Sequence, residues 1–167
     1  MTMKKFDIKA LKDKQRGSFV LEALISILLF SIGILAIVGL QAASIANAAS
    51  AKDRTVASLL ANQIIGQMWV ADKTNATLAA NFCGPAAVSA VCAAPAVAVA
   101  CAAAGASYSA WAASSVASTL PGISIAAAAN LPTIALCSDN TATVTVNWQA
   151  PKDIAPHNYS IAATIND

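Results

Sequence analysis

Residues 18–40 read SFVLEALISILLFSIGILAIVGL, a stretch of 23 residues in which Glu22 carries the only charge. Wound as an α-helix it is about 35 Å long, against about 30 Å for the hydrocarbon of a bilayer. It is long enough to cross a membrane. Nothing later is comparable, because the Ala-rich residues 86–106 are interrupted by Pro95 and Gly105 and alanine inserts weakly. A chain of 167 residues leaves room for one ordinary domain beside this segment.

The charges are divided around the apolar run. Residues 1–17 hold Lys4, Lys5, Lys9, Lys12, Lys14 and Arg16 against Asp7 and Asp13, a net charge of +4. The remainder holds four basic and six acidic groups, net −2. A cationic stretch directly before an apolar helix keeps that end cytoplasmic, so everything after the run is expected on the far side. Charged residues make up only 11% of the chain, which excludes a charge-rich disordered protein. Hydrophobic residues reach 57%, but 41 of them are Ala, which buries little surface, so composition overstates the core.

Three readings of the run are open from the residues. A removable secretory signal has small residues for cleavage at Ala46-Asn47-Ala48, but its apolar core is ordinarily about 7 to 15 residues. A plain anchor explains the length and leaves the carboxylate of Glu22 without a purpose, although an ionised group in lipid is costly. The third reading uses the order G-S-F-V-L-E, in which a basic stretch precedes Gly17 and Glu22 is the fifth residue after it.

That pattern resembles the prepilin processing site of type IV pilins and of the pseudopilins of type II secretion. The resemblance implies cleavage by a prepilin peptidase between Gly17 and Ser18, with methylation of the new amine on Ser18. The family usually has Phe as its first mature residue; here Ser18 takes that place and Phe19 follows. It also implies that Phe19 and Glu22 serve assembly, the carboxylate meeting the free amine of a neighbouring subunit while the apolar helices pack together. An unpaired charge in an apolar setting needs such a partner.

Beyond residue 40 the helical spacing continues. Ile45, Val56, Leu60, Ile64 and Met68, with Leu59 on the same side, predict a half-buried face, while Lys52, Asp53, Arg54, Asn62, Gln63 and Gln67 lie elsewhere. Asp72, Lys73, Thr74 and Asn75 end the pattern, so one helix over 18–71 is expected, about 80 Å at about 1.5 Å per residue. Gly33 and Gly39 lie inside it and read as close-packing points. Residues 79–105 give no clear element. Residues 106–120, with Tyr108 and Trp111, predict a short helix stopped by Pro121 and Gly122. Strands are expected around Ile123 and Ile125, over 133–137, over 141–148 and over 159–165, with a hairpin loop at 149–158. The expected fold is α+β, a long N-terminal helix packed on a small antiparallel sheet, as in type IV pilins.

The steps Ser31-Ile32-Gly33 and Gly39-Leu40-Gln41, the run 59–68, Ala110-Trp111 leading into Leu120-Pro121-Gly122, and Val144-Thr145-Val146-Asn147-Trp148 are similar to PilV-type minor pilins, the pilus modification proteins. The division this implies is a cleaved cytoplasmic leader (1–17), a membrane and fibre-core helix (18–40), its amphipathic continuation (41–72) and a globular head (73–167).

Cys83, Cys92, Cys101 and Cys137 all follow the apolar run, on the side where disulfides persist. Four cysteines allow three pairings, and the sequence does not choose among them. The even spacing of Cys83, Cys92 and Cys101 suggests one bridge that closes an Ala-rich loop and leaves Cys137 to tie that region to the strands. A zinc site needs close pairs such as C-x-x-C, which are absent. His157 reads as a solvated loop residue. No paired acids, phosphate-cradling glycine loop or metal-ligand cluster stands out, so neither enzyme activity nor a cofactor is expected. After Arg54 only Asp72, Lys73, Asp139, Lys152, Asp153 and Asp167 are charged, too few for a nucleic-acid track.

The resemblance therefore implies a minor pilin that joins or primes type IV pili and modulates adhesion or motility. Its partners would be the prepilin peptidase, the major pilin, other minor pilins and the inner-membrane assembly machinery. Its location would be the inner membrane, with the head periplasmic, and then the surface pilus. The other readings are a minor type II secretion pseudopilin and a single-pass anchored periplasmic binding protein.

Overall fold

The computed structural model of the chain describes residues 16–85, 92–101 and 103–166. Residues 1–15 of the expected leader lie outside the described residues. Two compact units divide the chain, residues 1–48 and 49–167, and the first helix, α1 (Arg16–Val70), contributes to both.

In the first unit the run 18–40 of α1 is apolar on all sides apart from Glu22 and a few serines, and every residue from 18 to 48 is exposed. In the second unit its last turns carry a one-sided stripe. Ala57, Leu60, Ala61, Ile64, Ile65 and Met68 recur at steps of three and four, and all are buried. The sequence placed Ile45 and Leu59 on this face. Ile45 is instead 71% exposed, lying in the first unit before the stripe begins, and Leu59 is 65% exposed, two residues from both Ala57 and Ala61 and so on the opposite side of the helix from them.

Helix α1 stops at the polar run. Asp72 Oδ1 accepts the backbone N–H of Thr74 at 3.0 Å, a local alternative to the helical ladder. Thr74 then caps α2 (Asn75–Phe82), accepting the N–H of Thr77. Leu78 and Phe82, four apart, put one face of α2 into the core. Helix α3 (Ala106–Trp111) continues through a π-helical turn at Ala112–Val116 into the short α4 (Ala117–Thr119), burying Tyr108, Trp111, Ala112 and Val116. The single helix expected over 106–120 thus carries a widened turn in its middle.

The sheet is antiparallel in the order β1 (Thr133–Leu136), β2 (Thr141–Trp148), β3 (His157–Thr164). Ala142, Val144, Val146 and Trp148 of β2 are buried, and the alternating Thr residues and Asn147 face outward. This is the period of two that a half-covered sheet requires. Asn140 turns the β1–β2 hairpin in the left-handed region (φ 60°) and donates from Nδ2 to the Lys73 carbonyl at 3.0 Å, pinning the turn to the chain behind α1. The strand expected at Ile123 and Ile125 does not form. Ser124 and Ala129 make only an isolated bridge, since the turn at Pro121-Gly122 and the Ala126–Ala129 run leave Ile125 half in water.

One core joins the stripe of α1, the buried faces of α2 and α3, and the inner face of the sheet. Tyr108, Trp111 and Trp148 are all buried in it. Tyr108 donates its hydroxyl to the Pro132 carbonyl at 2.6 Å, and burial pushes its pKa up to about 12.

Candidate functional site

Two features of the chain can carry function: the start of α1 and the cross-linked region between α2 and the sheet. At the start of α1, Gly17 and Ser18 lie within the helix. Ser18 and Glu22 are four residues apart and share one helical face. Phe19 is 74% exposed. The Glu22 side chain is also exposed, and among the described residues its carboxylate meets no basic group or hydrogen-bond donor. Its backbone carbonyl accepts the Ser26 hydroxyl at 2.8 Å, and the Ile27 carbonyl accepts that of Ser31 at 2.8 Å. Both hydroxyls are thereby satisfied within the helix, which removes the penalty for placing them in an apolar medium.

Among the described residues, α1 is the one helix long and apolar enough to cross a membrane. Its side chains from Phe19 to Leu40 are all exposed. So large an unbroken apolar surface needs lipid or other subunits around it. Among the described residues a methyl group added at Gly33 or Gly39 would meet nothing within 4 Å, so packing among them does not require either glycine.

The four cysteines form two interleaved bridges, Cys83–Cys101 and Cys92–Cys137. The first closes the connection from α2 to α3. There Gly105 donates to the Cys83 carbonyl at 2.9 Å, so close to α2 that a side chain at 105 would collide with the Asn81 carbonyl. The second fastens Cys92 to the end of β1, where Ala98 bridges Cys137. With all four sulfurs in disulfides, the zinc alternative has no thiolates to use. Among the described residues no group of three or more His, Cys, Asp and Glu side chains converges.

His157 heads β3 rather than sitting in the loop. Its ring stacks on Trp148 with centroids 5.9 Å apart, and Nε2 lies 3.1 Å from Asp153 Oδ2. Asp153 also accepts the Ala150 N–H at 3.0 Å, so this pair fastens the 149–156 hairpin loop. That is a structural assignment that the spacing of His157 and Asp153 alone did not suggest. The sequence left the pairing open, and its suggestion of one bridge closing the Ala-rich loop with Cys137 tying that region to the strands agrees with these two bridges.

No protein-family model, characterised protein or solved structure matches this chain.

Proposed function

We propose that the chain is a type IV prepilin that matures into a minor pilin of the PilV type. One observation carries the reading. The G-S-F-V-L-E step lies at the start of a helix whose apolar first half is exposed all round, and whose last turns belong to a disulfide-braced α+β unit. Cleavage after Gly17 leaves a cationic amine on Ser18. The exposed carboxylate of Glu22 supplies the anion that a neighbour's amine needs, and desolvation between packed helices strengthens that pairing. Gly33 and Gly39 let neighbouring helices approach closely, which suits a contact between subunits rather than within one.

In this reading α1 first holds the protein in the inner membrane with the disulfide-linked unit in the periplasm. It then enters a fibre core, where one surface of each subunit binds a different surface of the next. The chain acts as a structural subunit, without catalytic residues or a cofactor. Its partners are the prepilin peptidase, the major pilin, other minor pilins and the membrane assembly machinery. The test is to delete the gene, count surface fibres by electron microscopy and probe the sheared fraction of the parent for this chain. Fewer fibres, with the chain recovered among sheared fibres, is the expected result. An unchanged fibre count with the chain retained wholly in the cell envelope overturns the reading.

A further inference from the structure

The two edges of the sheet are treated differently. Outside β1, Val99 donates to the Leu136 carbonyl at 2.8 Å and Gly84 to that of Ile134 at 3.4 Å, so the cross-linked segments cover that edge. Outside β3 the described residues supply nothing. The ladder identifies which groups are left open. Ile165 donates to the Asn140 carbonyl at 2.9 Å, and in an antiparallel pair every second residue exchanges such bonds. Ala163, Ile161, Tyr159 and His157 therefore face β2 with their backbone groups, in the register Ala142–Ala163 to Trp148–His157. Asn158, Ser160, Ala162 and Thr164 point theirs away from it, and among the described residues none of these groups has a partner.

Natural edges of this length are ordinarily blunted by charge, proline or a bulge. From Asn158 to Thr164 there is neither a charge nor a proline, and the register with β2 is unbroken. The apolar row is also unfinished: Val146, Val144 and Ala142 of β2 are buried, while Tyr159, Ile161 and Ala163 beside them are only half-buried.

We infer that the free edge of β3 pairs with β3 of a second copy of this chain, antiparallel and centred on Ile161. In that register Asn158 exchanges hydrogen bonds with Thr164 of the second copy, and Ser160 with its Ala162. On the inner face Tyr159 lies opposite Ala163 of the second copy, large against small, and Ile161 lies opposite its own equivalent. The match has no charged group to desolvate and extends the half-buried apolar row across both copies. The edge and its register belong to the second unit, the apolar run of α1 supplies the co-localisation, and neither depends on the pilin reading. A strand pair by itself covers less than the roughly 1,600 Å² of a standard interface, so co-localisation in one membrane is what makes it populated.

Opposed Cα atoms in a non-hydrogen-bonded antiparallel pair are about 4.5 Å apart, within disulfide reach. The full chain carrying Ile161→Cys, in the membranes of cells producing it, is therefore expected to give a reductant-sensitive dimer on electrophoresis after thiols are blocked. Adding Ala162→Pro removes an outward N–H that β2 does not use, which an edge strand tolerates. Two inter-copy hydrogen bonds are then lost, and the dimer band should fall about tenfold. Peptide mapping of the Cys83–Cys101 and Cys92–Cys137 bridges reports whether each variant has folded. If Ile161→Cys disturbs folding, co-produced Ser160→Cys and Ala162→Cys chains test the same register from the exposed face, with a mixed dimer expected. A folded variant that stays monomeric, one that links to a different polypeptide, or a band unchanged by Ala162→Pro overturns the inference.

Discussion

Removing the two disulfides separately should not cost the same. In the chain-entropy treatment the stabilisation grows with the loop that is closed, and the bridged cysteines are 18 residues apart in Cys83–Cys101 and 45 apart in Cys92–Cys137. This gives about 3 kcal/mol for the first bridge and about 4 kcal/mol for the second. Both bridges anchor the segment whose Val99 and Ala98 cover the edge of β1, so loop length is what sets the ordering. The perturbations are the double substitutions Cys83→Ser with Cys101→Ser, and Cys92→Ser with Cys137→Ser, in the full chain in detergent. Urea unfolding followed by fluorescence of the buried Trp111 and Trp148 supplies the readout. With a slope near 2 kcal/mol per molar urea, the midpoint should drop by about 1.5 M for the first pair and about 2 M for the second. Equal midpoints for the parent and both variants, or a larger loss for the shorter loop, would refute the reasoning.

The core stripe of α1 gives a paired prediction: Ile64→Ala should cost about 2 to 5 kcal/mol, whereas Leu59→Ala, on the exposed side, should stay within about 0.5 kcal/mol in the same unfolding assay. Gly105→Ala forces a methyl group against the Asn81 carbonyl and should cost about 1 to 3 kcal/mol, seen as a lower thermal midpoint. Because burial raises the pKa of Tyr108, the unfolded chain releases this proton near pH 10 and the folded chain only near about 12; stability should fall across that window as pH rises. Tyr108→Phe should flatten that alkaline fall while costing about 1 to 3 kcal/mol at neutral pH for the orphaned Pro132 carbonyl. Glu22→Ala should fold and insert normally yet be depleted from sheared fibres on immunoblots.

The parts of the fold that were legible are those where one physical signal is repeated. The run 18–40 has no competing interpretation as a secondary structure, and the alternation of β2 puts every apolar residue from Ala142 to Trp148 on one face. The hairpin loop was legible for the same reason, since Pro151 and Pro156 interrupt two alternating segments. Helix α2 was missed because its propensity lies in Ala and Asn, residues that also suit loops; the usable signal was Thr74 as a cap, with Leu78 and Phe82 four residues apart behind it. The exposure of Leu59 was not legible because Ala57 and Ala61, which define the buried side, are too small to mark it, and that of Ile45 because the apolar spacing runs on past the point where the packing begins. Ile123 and Ile125 showed alternation too short to outweigh the Pro121-Gly122 turn, where Gly122 has φ 74°. At the candidate site, the Gly17 and Glu22 offset was entirely a matter of sequence. The pairing of the cysteines and the open edge of β3 depend on tertiary register, which no local pattern encodes.

The mature amino terminus tests the account most directly. Mass spectrometry of the protein recovered from sheared surface fibres should find a chain beginning at Ser18, with or without a methyl group on its amine. A chain that still begins at Met1 or Thr2, or one that begins near Ala49, would contradict it.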